Sequence, residues 1–525
     1  MFSIAAVVCV VYLVLVTVIG SLLARRASSS AGWAVASGNM GIWMIAAGVA
    51  GTRIGGVGTY GVAGDVMDSG LWNLWYAVNT FLALALVGLF FAVPFRRLEL
   101  RTVSEIFTQR FGRRRSQVLT SLCVQTEYFI VNVLEPFVIG SILSTLVGIP
   151  FGVAVFIGAA VLITYTALGG LWGSAVTNLI HCAVVVFGLL AIVVIGVGSF
   201  GGWGAVQQAV EASLAAAEPT RDPARWWSFV GAGWGAVLAM FFSATIHTPA
   251  ASVYVNFSSA AKSERILPRS FLIAGLVAAV MPLLAGIVGM LTLARYGAGA
   301  GLSSYRAITQ FAIDLSPLVG GIAVAAILAA VISSGGPILL AGATLFVRDW
   351  VPGSDALEPR AQLRLYRITT IVYGLVAALV AWQAEITSIL DLLLLGFAMV
   401  VPPAVAMSFL LFWRRTTERA CFWGIGLGYG ISLLWWGAIQ WCSRIGLEVD
   451  SASGALERVA HALFVGARGE GIDPSYPATL VPLVAVPLIS LLAPERASSE
   501  ASGELEQRRD DFYRRLARPV RHAKG

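Results

Sequence analysis

The sequence predicts an all-α polytopic membrane protein with about 13 transmembrane helices. Three observations carry that prediction. Of 525 residues, 58% are hydrophobic and only 12% are charged, against about 25% charged in a soluble domain. Apolar runs of roughly the length needed to cross a bilayer recur along nearly the whole chain. Arginines gather in the connections between alternate runs, the pattern that sets membrane topology.

The expected spans, each about twenty mainly apolar residues, are 3–24, 41–62, 73–95, 118–146, 150–168, 172–197, 229–250, 270–296, 319–346, 366–384, 387–412, 420–441 and 477–493. Helices are required because lipid offers an exposed backbone no hydrogen-bond partner. The first run ends at Arg25-Arg26 and lacks a positive leader, so it reads as an anchor rather than a signal peptide. With the N-terminus outside, the inner loops hold Arg25-Arg26, Arg96 to Arg115, Lys262 to Arg269, Arg348 to Arg364, Arg414 to Arg419 and the basic tail. The outer loops hold Asp65, Asp68, Glu211, Glu218, Asp314, Glu385 and the mixed segment 442–476, which reads as an external cap or loop. This places the C-terminus in the cytoplasm of a multi-pass plasma-membrane protein. Residues 205–211 read as a short surface helix, and the charged tail after Pro494 as partly disordered.

The net charge of +7 does not indicate nucleic acid, because it lies in short loops beside the expected bilayer, where anionic lipid suffices as a partner. Cys9, Cys123, Cys182, Cys421 and Cys442 have neither metal-site nor disulfide-framework spacing. No catalytic motif is present, and no residue is assigned to covalent chemistry.

Candidate binding residues come from interruptions in the spans. The second span reads Ala46-Ala47-Gly48-Val49-Ala50-Gly51-Thr52-Arg53-Ile54-Gly55-Gly56-Val57-Gly58. Its glycines weaken a helix, and either close packing or a mid-membrane break explains them. Arg53 favours the break, since a charge at that depth is costly and usually functional. The seventh span has Gly231, Gly233, Gly235 and Pro249. Two interrupted helices five spans apart fit inverted five-helix repeats. Gly48, Gly51, Thr52, Arg53 and His247 form the candidate substrate-binding set. Glu127 and Glu135, eight residues apart on the fourth span, share a face, and either is a candidate partner for Arg53. Asp391 is expected to be buried in the eleventh span. Ser333 and Ser334 in the ninth span either bond back to their own backbone or turn their hydroxyls to a hard cation.

Several segments resemble the sodium/solute symporter family, whose fold is that of the bacterial leucine transporter. Gly32-Trp33-Ala34-Val35-Ala36-Ser37-Gly38 is similar to the family's first inner loop. Arg101 to Gly112 is similar to its T-x-x-E-x-x-x-x-R-[FY]-G loop, and Tyr165 to Gly170 with Thr177-Asn178 to its Y-x-x-x-G-G…T-D pattern. Ala330 to Ser334 followed by Arg348-Asp349 is similar to its eighth core helix. The resemblance implies a ten-helix core at 41–412, with repeats at 41–197 and 229–412. It leaves 1–40 as an added first helix and inner loop, 413–493 as two further helices, and 494–525 as a cytoplasmic tail. It also implies sodium as coupling ion, held by carbonyls of Ala46, Val49 and Ala330 and hydroxyls of Ser333 and Ser334.

The chain departs from the family where Asp is common and Asn178 stands, and at His181 and Val255-Asn256. The expected function is sodium-coupled symport of a small organic solute, a carboxylate or amino acid among the candidates. A proton-coupled or uncoupled transporter of the same fold stays open, as does a sensor module with a separate signalling partner. The oligomeric state is not legible.

Overall fold

The computed structural model describes residues 4–22, 28–216, 223–297, 304–386, 388–444, 458–459, 461–465, 472–494 and 499–517. Among these the chain is helical, with one isolated bridge between Met40 and Ala261 in place of any sheet. Most of the expected external segment 442–476 lies outside the described residues.

Helix α1 spans Ile4–Leu22. Helix α2 (Ile42–Gly56) runs through a wider π turn into α3 (Val62–Ser69). Helix α4 (Trp75–Leu86) belongs to the long apolar stretch Leu71–Arg97. Then follow α5 (Arg115–Val147) and α6 (Phe151–Ser199). Helices α7 (Trp234–Phe241) and α8 (Ser252–Ala260) flank a bend, and α9 (Leu267–Tyr296) and α10 (Pro317–Trp350) cross behind them. Helices α11 (Pro359–Gln383), α12 (Ile389–Phe412), α13 (Glu418–Arg444) and α14 (Ser475–Leu492) complete the bundle, and α15 (Ser499–Ala517) closes the described chain.

Among the described residues nine helices are long and apolar enough to cross a membrane, ten if the pair around residue 251, bent by 46°, counts as one. The thirteen spans expected from the sequence are not reached by that measure. The first span has only a shorter apolar stretch, Ile4–Gly20. The second is broken. The fifth and sixth are continuous as α6, a 49-residue stretch of two helices that meet at a kink. At 1.5 Å per residue α6 would extend about 74 Å, more than twice a hydrocarbon core of about 30 Å. Gly170 interrupts it with φ +54° and ψ −155°. A side chain there would strike Trp33, whose indole donates to the Ala167 carbonyl at 3.2 Å and stacks on Tyr366.

Apolar side chains cover the outside of the bundle, among them Trp43, Phe187, Val194, Leu434 and Val484. Aqueous solvent does not favour such a surface, and lipid does. The most enclosed helix is α10, which is almost wholly buried at the centre. The expected surface helix exists as Trp203–Ala216, with Val206, Val210 and Leu214 packed inward. Of the tail after Pro494, residues 499–517 are helical, while 495–498 and 518–525 lie outside the described residues. Helix α15 buries Phe512 and Tyr513, and the Tyr513 hydroxyl donates to the Leu410 carbonyl at 2.7 Å. Arg97 adds a bond to the Leu516 carbonyl, and Arg515 reaches Gln109 at 3.3 Å.

Candidate functional site

Both helix interruptions are real and lie against α5. Helix α2 leaves helical geometry at Gly55 (φ +51°, ψ 173°). The backbone N–H of Gly56, freed there, donates to a Glu135 carboxylate oxygen at 3.2 Å. The other oxygen accepts from the Ser334 hydroxyl. An anion at the start of a helical segment is stabilised by exposed N–H groups and the helix dipole. The second interruption is at Ala251, in extended geometry just after Pro249. It lies one residue past the expected end of the seventh span, which continues as α8. The freed N–H of Val253 donates to the Tyr128 hydroxyl at 2.7 Å. Tyr128 and Glu135 are seven residues apart, two turns on one face of α5.

Between the two breaks is a cavity of about 30 Å³, room for a water or two. Thr52, Arg53, Tyr76, Glu127, Glu135, His247, Tyr254, Ser334 and Phe397 are in its wall. Thus Thr52, Arg53 and His247 come together as expected. Gly48 and Gly51 do not line it. A Cβ on Gly48 would meet the Phe257 ring at 2.3 Å, and one on Gly51 the Asn178 amide at 2.5 Å. Those glycines allow close approach of neighbouring side chains. His247 donates through Nδ1–H to the Ser243 carbonyl, 2.5 Å away, and its ring stacks on Phe397 with centroids 3.9 Å apart.

Arg53 is 5% exposed, yet it does not pair with Glu127 or Glu135, which corrects the structural account of its charge. Its Nη2 donates to the Ala244 carbonyl at 2.7 Å and its Nε to the Thr80 hydroxyl at 3.4 Å. The guanidinium also lies 5.0 Å from the Phe397 ring centre and 5.6 Å from that of Tyr76, at cation–π range. The expected partner Glu135 is engaged at the helix break, and Glu127 has a buried carboxylate oxygen without a hydrogen bond. Asp391 is likewise corrected: it lies exposed in the first turn of α12, where its N–H donates to Ser388.

The residues named for the cation separate into two groups. The Ser333 hydroxyl reaches across to the Gly51 carbonyl at 2.8 Å and back to the Ala330 carbonyl at 2.7 Å. The back-bonding reading of Ser333 therefore holds, and the same hydroxyl also reaches the broken helix. Ser334 turns instead to Glu135 and to its own Val331 carbonyl at 3.1 Å. Ala46 and Val49 are buried in α2, but the α2 carbonyls brought to α10 by hydrogen bonds are those of Gly51 and Gly48. The second link runs through Asn178, whose amide donates to Gly48 at 3.2 Å and Ser333 at 3.1 Å. Asn178 Oδ1 is buried and has no hydrogen-bond partner. Carbonyl, hydroxyl and amide oxygens are the donors a hard cation takes.

At one end of the bundle, loop 101–117 is tied to the foot of α10. Arg348 pairs with Glu105 at 2.5 Å. Buried Asp349 accepts from Ser104, from Thr102 at 3.3 Å and from Gln117 at 2.7 Å. Sequence reasoning missed Tyr76, Tyr128, Tyr254 and Phe397, because aromatics in apolar helices carry no local mark of a site.

Broken helices meeting around a central cavity, beside a cluster of cation-type oxygens, define a secondary transporter. The model of the sodium:solute symporter family matches residues 33–428, and the chain belongs to that family. Sodium is accordingly the coupling ion and symport the mode of transport. The chain is 22% identical over 450 residues to a sodium/proline symporter of Staphylococcus aureus, covering 81% of this chain and 84% of that protein. Among solved structures, a sodium-coupled sialic acid symporter superposes with a TM-score of 0.73 at 18% identity, over 94% of this chain and 99% of that one. A nucleobase-cation-symport-1 family transporter superposes at 0.54 with 14% identity, over 91% and 98%. These likenesses show a leucine-transporter-like fold.

Proposed function

We propose that this protein imports a small organic solute bearing a carboxylate, with Arg53 as the group that receives it. The observation that carries the reading is a buried guanidinium in the cavity wall without a carboxylate partner. It is solvated by a carbonyl, the Thr80 and Tyr254 hydroxyls and two aromatic faces. A planar fork in a low-dielectric site selects carboxylates. Amino acid transport by the S. aureus relative is in keeping with such a solute.

Sodium is assigned to the oxygens around Ser333: its hydroxyl, the Ala330 carbonyl and an α2 carbonyl, with Ala46 and Val49 the family positions and Gly51 the one in contact. Residues 41–412 form the transport core in this reading, each half opening on one of the broken helices. One charge moving through about 100 mV releases about 2.3 kcal/mol, enough for roughly fifty-fold accumulation. The basic end of the bundle, where Arg97, Arg110 and Arg414 converge on α15, is assigned to the cytoplasm by the excess of positive charge. The N-terminus is then outside.

The test is uptake of labelled organic acids and amino acids into proteoliposomes under an imposed sodium gradient, for wild type and Arg53→Lys. The lysine variant is expected to fold, keep its sodium-induced stabilisation and lose solute affinity, because an ammonium cannot bind a carboxylate through two parallel bonds. Unchanged affinity for every carboxylate would remove Arg53 from the site.

A further inference from the structure

We infer that the transported solute is a zwitterion and that Glu127 receives its ammonium group. The inference rests on the preceding reading of Arg53 as the carboxylate's partner. Besides the phenols of Tyr76 and Tyr254, four titratable groups face the cavity: Arg53, Glu127, Glu135 and His247. Glu135 is satisfied, one oxygen by Ser334 and the other by the Gly56 N–H. The Nδ1 of His247 is held at the Ser243 carbonyl. Arg53 and Glu127 are the remaining pair, and they form no ion pair within 4.0 Å of each other.

Glu127 is 3% exposed, and one of its carboxylate oxygens has no hydrogen-bond partner. A buried acceptor left in that condition carries a desolvation cost. The cost persists where a ligand repays it. An arginine and an acid that face one cavity without direct contact are both engaged by a ligand that carries an anionic and a cationic group. A simple carboxylate pairs with Arg53 and leaves Glu127 as it is, and a simple amine does the reverse. Phe397, Tyr76 and Tyr254 supply the apolar wall between them, and aromatic faces also suit an ammonium. The cavity therefore selects by charge pattern first and by side-chain volume second. Substituted amino groups fit the same scheme, because the pairing needs positive charge more than a particular number of N–H donors.

Thermal unfolding of the purified full-length protein in sodium buffer tests this. The probes are the proteinogenic amino acids, with propionate and ethylamine as the two halves of alanine. At least one amino acid is expected to raise the unfolding temperature, while neither half-molecule does. Glu127→Gln is expected to weaken that ligand at least about thirtyfold, the effect of stranding one partner of a buried charge pair. It should keep its stabilisation by sodium, which shows that it folds. If it does not fold, Glu127→Asp takes its place, and unchanged affinity there overturns the inference. A stabilising carboxylate that lacks an amine and binds wild type and Glu127→Gln alike overturns the role of Glu127 and leaves that of Arg53 standing. A stabilising ligand without a carboxylate, unaffected by Arg53→Lys, overturns both. No response to any zwitterion overturns the inference.

Discussion

Asn178 donates its side-chain amide to the Ser333 carbonyl at 3.1 Å, and Ser333 is the residue four positions before Pro337 in α10. A proline has no N–H to offer the carbonyl one turn back. Asn178 fills that place from α6 and at the same time holds Gly48 of the broken helix. The amide thus explains a departure from the family pattern: two carbonyls need a donor, and an ionised carboxylate has none to give.

Asn178→Asp should therefore turn two attractive contacts into repulsive ones. The expected result is a loss of about 2 kcal/mol without sodium, largely recovered as sodium rises, because a cation between carboxylate and carbonyls relieves the repulsion. Unfolding temperature against sodium concentration measures it. Parallel curves for variant and wild type would show that Asn178 is remote from the cation.

Ser333→Ala and Ser334→Ala should differ. The first removes a hydroxyl that touches both Gly51 and Ala330, and sodium affinity should fall roughly tenfold. The second removes the donor to Glu135 and should act first on stability. Solute affinity should follow sodium affinity in Ser333→Ala, since linked sites shift each other equally. Calorimetric sodium titration of both variants decides this, and equal losses would contradict the division.

Gly55→Ala tests the break in α2. The backbone there has φ +51°, and a Cβ would lie 2.9 Å from Glu135 and 3.0 Å from Ser334. A cost of about 1–3 kcal/mol is expected from the strained geometry. Rescue by Glu135→Asp, which withdraws the carboxylate, would locate the clash; failure of rescue would assign the whole cost to the backbone.

At the basic end, Glu105→Gln should loosen the tie between loop 101–117 and α10. Both partners of the Glu105–Arg348 pair are mostly covered, so a loss of about 2 kcal/mol is expected, between exposed and fully buried pairs. The state open at this end should gain, seen as faster labelling of a cysteine introduced at Ala251 in the second helix break. Unchanged labelling would show that this tie does not close the inner face.

Much of this was legible before the structure, and the limits have physical causes. Arg53 stood out because a charge inside an apolar run is visible locally. The break at Gly55 was visible in the run of glycines. What holds the break open is Glu135, on another helix, and no spacing rule links residues 56 and 135. Glu127 and Glu135 looked equivalent at eight residues apart, yet one is engaged by the broken helix and the other retains a bare oxygen. Gly48 and Gly51 were read with the substrate, whereas Phe257 and Asn178 occupy the space they leave. Gly169-Gly170 were too short a connection to carry the charge that marks which side of the membrane it faces. The docked tail was hidden because only Phe512 and Tyr513 mark its buried face.

Tyr128 and Glu135, two turns apart on α5, hold the two interrupted helices by one hydrogen bond each to the freed backbone. The two interrupted helices thus share a common bracket. A displacement of α5 moves both attachment points together, and freeing one break alone requires α5 to distort between them. Leakage of sodium without its solute calls for that kind of one-sided release. Tight stoichiometry is in this sense a property of backbone support and not only of the residues that touch the cargo, and sodium flux in the absence of any solute is its direct measure.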